Sequence, residues 1–562
     1  MENTKGKKIN KKIIAIISII LVAIILVTTV IYLVTRKDEN VEVENTGRIQ
    51  KQAMNSNNYT MVKSKDGIDV PVPKGYTASS VESESYVNGI NETLYLSKNL
   101  TDTFTSEGDY PWTKNNSGIW TSGNYNKYNS TSEMTSEEFT VSEDGGILQL
   151  NWTVSSQLYY DYLYGEIINT TNNKIEKTTI KLNGTNYGSF ESKLVYVKTN
   201  IKLDQGTYKL NVKYIKNESD DSSLDRAYVK EVKIYDRKNN GNADTMQNHK
   251  YGGFVIYEGT DEVTEENQWT AQCERNQWVW IPIEDVSDMY WEDKTDGKIY
   301  GTYYDSTTDT YNKGEKLRKY EPQLTRYDAD STNLTKYLGG ISRYEFLIQM
   351  EQEFYEMLQS VATYGGFYIG RYEVGDLKQT SPVVKRMNVD TGNQNWYTMY
   401  KKSKKLSGTY TNVKTSMIWG TQYDQVLKWL IKTGDKTPMD INMGSFAWGN
   451  YMDVECTYYS NISKDEKVKE LGGDEIIPSG AYEGANANNI YDIAGNVFER
   501  TPETSGLGYA NGYNRYIRGG YAQGVGTYYC AVNRNYAFTG FSNRNILNES
   551  QYVGVRGMLF IK

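Results

Sequence analysis

The chain has 562 residues and a net charge of −8, with 13% aromatic residues that include 50 Tyr and 11 Trp. That length holds roughly three or four ordinary domains, and the acidic balance excludes a nucleic-acid binder, which needs a basic face to neutralise phosphates. A single histidine, His249, excludes multi-His metal sites and any triad with a choice of imidazole.

Cys273, Cys456 and Cys530 are odd in number and far apart, without a C-x-x-C pair. They indicate neither a disulfide framework nor a zinc knuckle and read as isolated core thiols.

Residues 1–12 carry five Lys and one Glu, and residues 13–34 (IIAIISIILVAIILVTTVIYLV) carry no charge. At about 1.5 Å per residue the apolar run crosses a ~30 Å hydrocarbon layer. The preceding lysines place the N-terminus in the cytoplasm and the bulk outside, and the missing small-x-small cleavage pattern makes the run an uncleaved, single-pass signal anchor in the cell membrane. Residues 35–65 are polar and without sustained period, which predicts a spacer.

From about Tyr95 to Asp236 apolar residues alternate, as in Leu148, Leu150, Trp152 and Val154, or Tyr208, Leu210, Val212 and Tyr214. Gly, Asn and Ser clusters separate these runs, so the spacing predicts a β-sandwich of seven or eight strands. Residues 237–248 (RKNNGNADTMQN) read as a linker, with His249 a solvated histidine at its end.

Farther on, Ser342-Arg343-Tyr344-Glu345 has the form of a capping box, followed by Phe346, Met350, Phe354, Met357 and Val361 at helical spacing up to Gly365. A second amphipathic helix is predicted over Thr421–Lys432. Short strands are expected at Trp278–Pro282, Gly366–Tyr372 and Tyr552–Ile561. Few helices among many short strands predict an irregular α+β domain.

Six segments carry a family resemblance: QWVWIPI (277–283), GGFYIGRYEVG (365–375), SMIWGTQYDQVLKWL (416–430), NIYDIAGNVFERT (489–501), RYIRGG (515–520) and VGVRGML (553–559). In this order they resemble the sulfatase-modifying-factor family, that is, the formylglycine-generating-enzyme domain, an elaborated C-type-lectin-like fold. Residues 67–89 followed directly by 252–259 resemble a continuous start of such a domain. The resemblance therefore implies a lectin-like domain of residues 66–89 plus 251–562, with residues 90–250 inserted as an all-β sandwich.

The formylglycine enzymes hold copper(I) on a cysteine pair soon after the RGG-type motif. Here Arg518-Gly519-Gly520 is followed by a single thiol, Cys530, and Phe498 and Arg500 replace the family's usual tryptophans. Neither copper nor haem is expected, and no catalytic residue is assigned. The resemblance also implies a calcium loop with side-chain oxygens from Asp492 and Glu499 and carbonyls from Gly495 and Val497. Read from the residues alone, the same carboxylates could hydrogen-bond loop amides without an ion or act as an acid/base pair.

An acidic tethered ectodomain rich in Tyr, Asn, Gly and Ser has the composition of a recognition surface. The expected function is non-catalytic adhesion or ligand binding at a bacterial cell surface, with a glycan or protein as partner. Candidate aromatics are Trp112 and Trp120 in the sandwich and Tyr521, Tyr528 and Tyr529 after the RGG. Two alternatives remain: an enzyme of the same class with altered chemistry, and a binding protein whose residues 515–562 are diversified by a retroelement.

Overall fold

The structure is a computed structural model describing residues 49–63, 69–82, 91–143, 145–156, 161–179, 182, 194, 196–217, 225–239, 241–249, 253–293, 297–306, 310–312, 340–389, 391–504, 515–526, 528–535 and 550–562. The chain divides into two compact units, Met1–Ile49 and Gln50–Lys562. The basic tail and the apolar run 13–34 lie outside the described residues, among which no helix is long and apolar enough to cross a membrane.

The spacer expected over 35–65 is corrected in its second half. Tyr59–Lys63 pairs antiparallel with Asp69–Pro73, and the Gln52 N–H donates to Thr363 Oγ1 at 3.3 Å. The Asn58 amide reaches the Lys562 carbonyl at 2.6 Å. This strand is mostly exposed, so no apolar alternation marks it in the sequence.

A six-stranded sheet forms the base of the larger unit, in the order Val413–Met417, Gly557–Ile561, Gly366–Gly370, Gln277–Pro282, Val255–Glu258, Tyr76–Ala78. Its central strands are buried but for Pro282, as their near-continuous apolar runs require. Helix Arg343–Tyr364 packs on Gly366–Gly370 and Gly557–Ile561. The predicted capping box forms: Ser342 Oγ accepts the Glu345 N–H at 3.1 Å and Glu345 accepts the Ser342 N–H at 2.6 Å. Gly365 ends the helix at φ 81°, a left-handed position that glycine occupies without a Cβ penalty.

Between Tyr76–Ala78 and Val255–Glu258, which pair with each other, the chain builds a two-sheet β-sandwich. One sheet runs Lys174–Thr178, Tyr162–Asn169, Gly206–Lys216, Ser130–Thr135, with Phe139–Val141 also on Gly206–Lys216. The other runs Val197–Leu203, Gly146–Ser155, Arg226–Asp236, Asn91–Asn99, Thr245–His249. Alternating side chains such as Leu148, Leu150, Leu210 and Val212 fill the core between them.

The linker expected over 237–248 is corrected at its C-terminal end. Thr245–His249 is an edge strand, and the backbone of His249 pairs with Asn91. Its TMQNH sequence hides the strand because it holds one apolar residue, Met246, which joins a cluster with Leu94, Ile147 and Tyr235. First and last strands of the sandwich are thus neighbours. Just below them the Asn489 side-chain amide donates to the carbonyls of Glu82 at 2.6 Å and Gly253 at 2.9 Å, holding both flanks of the sandwich together.

The strand expected over Tyr552–Ile561 is two strands. Val553–Val555 runs parallel to Phe498–Thr504, and Gly557–Ile561 joins the six-stranded sheet. Arg556 lies at the break with no exposure. Its guanidinium donates to Glu499 Oε1 at 2.7 Å, the Gly370 carbonyl at 3.0 Å and the Tyr491 carbonyl at 2.8 Å. Replacing it by Met leaves Glu499 buried and uncompensated. The expected cost in urea denaturation is about 3–5 kcal/mol, and a loss below about 1 kcal/mol would remove Arg556 from its organising role.

Asp453, buried, accepts the Gly526 N–H on both oxygens at 3.0 and 3.2 Å. Burial pushes its carboxyl up from 3.8 to about 6. The folded state therefore binds the proton more tightly than the unfolded chain, so this group's contribution to stability is lost as pH rises from about 4 to 6 and is constant above. A shift of that size corresponds to about 3 kcal/mol. Asp453→Asn should flatten that portion of a stability profile measured between pH 4 and 7.

Candidate functional site

Strand Arg515–Arg518 is followed by Gly519 and Gly520, at φ 88° and 83°. A Cβ on Gly520 would meet the Tyr529 carbonyl at 2.0 Å, so the reversal needs glycine. This turn folds residues 521–535 back over Phe498–Thr504. Beneath it, buried Arg518 donates to Asp424 at 2.7 Å and lies over the Tyr423 ring at 4.5 Å, fixing the strand to helix Gly420–Lys432.

The reversal assembles an aromatic cluster. Phe498 stacks on Tyr521 with centroids 4.5 Å apart, and Tyr529 meets Tyr521 edge-on at 5.1 Å. Tyr552 packs edge-on to Tyr521 at 5.8 Å, and Tyr528 edge-on to Tyr529 at 4.9 Å. Exposure grades outward: Phe498 and Tyr521 are 4% exposed, Tyr529 is half-buried and Tyr528 is 51% exposed. At the rim, Asp474 Oδ2 accepts both the Tyr552 hydroxyl and the Gln523 amide at 3.1 Å. Burial is the main cause that raises the Tyr529 and Tyr552 phenols, so both stay neutral donors at physiological pH.

Of the predicted aromatics the structure brings Tyr521, Tyr528 and Tyr529 together. Trp112 is corrected: it is 3% exposed and belongs to the sandwich core, so it presents no contact surface. Trp120 is half-buried against that core, with its indole N–H on the Thr101 carbonyl at 2.6 Å and Lys114 over its ring at 5.0 Å. Tyr521 is itself buried and serves as the platform under the exposed rings. Sequence reasoning missed Tyr552, Asp474 and Gln523, which only the fold brings to this rim.

In the loop 491–499, Asp492 and Gly495 take positive φ of 59° and 79°. Asp492 Oδ2 accepts the Ser479 hydroxyl at 2.9 Å and the Gly480 N–H at 2.8 Å, while Oδ1 is buried without a hydrogen-bond partner. Glu499 Oε1 takes Arg556 and its Oε2 is likewise orphaned. Burial raises both carboxyls, for Glu499 against the pull of Arg556. Glu373, accepting Asn496 at 2.7 Å, is raised well above the usual range, by burial first and then by Asp492. Two orphaned hard oxygens suit an oxygen-seeking cation. Among the described residues no three His, Cys, Asp or Glu side chains converge to hold a metal.

The three cysteines are free. Burial pushes Cys456 up to about 11 and Cys530 up to about 12, and raises Cys273, so all three are thiols at neutral pH. A separate polar cleft of about 610 Å³ is lined by Glu82, Trp269, Arg371, Arg386, Glu483 and Tyr491, among others. Its Arg386 is already held between the Trp269 and Tyr491 rings, at 4.6 and 5.1 Å, and bonded to Glu483.

No protein-family model and no curated protein matches the chain. Among solved structures it is similar to a cleaved adhesin domain of Lys-gingipain from Porphyromonas gingivalis, at 11% identity and TM-score 0.19 over 25% of this chain and 96% of that one. It is similar also to the C-terminal carbohydrate-binding module of a laminarinase from Zobellia galactanivorans, at 15% identity and TM-score 0.17 over 25% and 98%. A third is a carbohydrate-binding module of Cellvibrio mixtus lichenase 5A in complex with cellotriose, at 10% and 0.16 over 25% and 94%. Likeness of this extent assigns no ligand to this chain.

Tyr528 is exposed and packs edge-on to Tyr529. Tyr528→Ala should leave stability within about 0.5 kcal/mol of the parent, whereas Phe498→Ala should lose about 3–5 kcal/mol, both read by chemical denaturation.

Proposed function

We propose that this chain is a non-catalytic binding protein of a bacterial cell surface, anchored by residues 13–34 with its bulk outside, that takes a glycan on the Tyr528, Tyr529 and Tyr552 face. The observation that carries this reading is the graded aromatic cluster, an exposed Tyr528 on a buried stack with Asp474 and Gln523 at its rim. An aromatic ring offers its face to the C–H side of a sugar, and an adjacent carboxylate and amide bond its hydroxyls. The buried stack fixes the ring before ligand arrives, which lowers the ordering cost of binding.

The proposed scaffold is a sulfatase-modifying-factor-like, C-type-lectin-like domain of residues 66–89 and 251–562, interrupted by the sandwich 90–250. The pairing of Tyr76–Ala78 with Val255–Glu258 supports that division. Ca²⁺ on Asp492, Glu499 and the Gly495 and Val497 carbonyls belongs to the same reading, supported by the two orphaned carboxylate oxygens. The ion would neutralise the buried loop that carries Phe498 and so stiffen the cluster's floor.

Glycan-array binding followed by titration calorimetry tests the site. Tyr528→Ala should weaken the bound glycan about tenfold, equivalent to ~1.4 kcal/mol, and Tyr528→Phe should retain most of the affinity. An unchanged affinity in Tyr528→Ala would exclude the cluster. Calorimetric uptake of Ca²⁺ should vanish in the Asp492→Ala, Glu499→Ala double variant, and no uptake by the parent protein would exclude the metal loop.

A further inference from the structure

The sandwich core holds charge where its pattern asks for none. Strand Gly206–Lys216 buries Tyr208, Leu210, Val212 and Tyr214, and the next position on that face is Lys216. Its ammonium lies against the carboxylate of Asp225, with side-chain exposures of 0% and 1%. Two other lysine pairs of the sandwich, Lys213 with Glu166 and Lys233 with Asp244, keep 20% and 15% of the lysine in solvent. Asp225 immediately precedes Arg226–Asp236 of the opposite sheet, so the contact joins the two layers.

A second carboxylate attends this pair. The register Tyr162↔Ile215 places Asp161 across from Lys216, and residues directly opposed on antiparallel strands share a face. Asp161 is 1% exposed and accepts the Asn217 N–H at 3.1 Å. The Tyr214 hydroxyl donates to Asp225 Oδ1 at 3.3 Å and the Asn126 N–H to Oδ2 at 3.0 Å. Charges buried this deeply carry a large desolvation cost.

We propose that Lys216 and Asp225 condense to an intramolecular amide across the sandwich, with Asp161 relaying the proton. Proton transfer within the pair gives a neutral amine and a neutral carboxylic acid. Nζ adds to the Asp225 Cγ, forming the N–C bond. The tetrahedral carbon then expels one carboxyl oxygen, breaking that C–O bond. Two of the ammonium's three protons leave on that oxygen as water, one of them carried by Asp161, which ends in its starting state. The third stays on the amide nitrogen, and no external reagent is consumed. Loss of the two buried charges removes their desolvation cost, and the bond locks one sheet to the other.

Mass spectrometry of the denatured full-length protein tests this. The expected mass is one water below that of the sequence, and proteolysis should give one branched peptide joining the Lys216 and Asp225 segments, with trypsin failing to cut after Lys216. Lys216→Ala and Asp225→Ala should each restore the full sequence mass, and Asp161→Asn should do so with the reacting pair intact. A parent protein at full sequence mass without a branched peptide overturns the proposal. So does a water loss that maps to a cyclised aspartate elsewhere. A branched peptide persisting in Asp161→Asn overturns the relay. The decisive measurement is on the parent protein, so it does not depend on the variants folding.

Discussion

Arg556 stands between two sheets and joins segments far apart in the chain: the Gly370 carbonyl of the six-stranded sheet, the Tyr491 carbonyl, and Glu499 beside the aromatic cluster. A planar fork can meet three acceptors in different directions at once; an ammonium cannot hold that geometry from a flexible stem. Arg556 also splits the C-terminal run, so that Val553–Val555 and Gly557–Ile561 serve different sheets. Phe498, Glu499 and Val553 take their places from this point. The face that carries Tyr528 thus depends on a buried charge pair as well as on the glycine turn of its own loop.

The chain's wealth of tyrosine suggests a recognition surface, yet much of it is internal. Tyr257 donates to Glu82, Tyr368 to the Pro71 carbonyl at 3.1 Å, Tyr423 to the Ile493 carbonyl at 2.9 Å and Tyr451 to the Gly519 carbonyl at 3.0 Å. Each ring fills core volume while its hydroxyl satisfies a polar group tens to hundreds of residues away. The 38% hydrophobic content already counts these tyrosines, so amphipathic rings make up part of the core beside the aliphatic side chains. Glu82 follows the same economy of pairing. Burial acts to raise it, but Arg371 and the bonds from Tyr257 and Gln272 hold it below the ordinary carboxylate value.

Legibility in the sequence followed repeating patterns of side chains. The alternating strands Gly146–Ser155 and Gly206–Lys216 and the capped helix Arg343–Tyr364 were readable because their patterns repeat over several residues. Thr245–His249 and Tyr59–Lys63 were not, because an edge or hairpin strand can be polar on both faces and still complete its backbone bonds. Helix Trp396–Ser403 was also missed, since only eight residues rich in aromatics give no periodic stripe. In the site, the RGG turn and three of its tyrosines were visible. Their burial order was not, because Trp112 and Tyr528 both sit in polar loops and tertiary packing alone buries one and leaves the other open. Tyr552 and Asp474 come from segments whose proximity no local pattern encodes.

Asn489 clasps Glu82 and Gly253 on either side of the sandwich, and Asn91 pairs with His249 just inside it. The chain therefore passes between sandwich and base twice, at one place, with both passages tied to the same asparagine. A pull on the sandwich is shared by two covalent paths in parallel, whereas a tandem domain would hang from one. A single proteolytic nick in either path leaves the sandwich attached by the other.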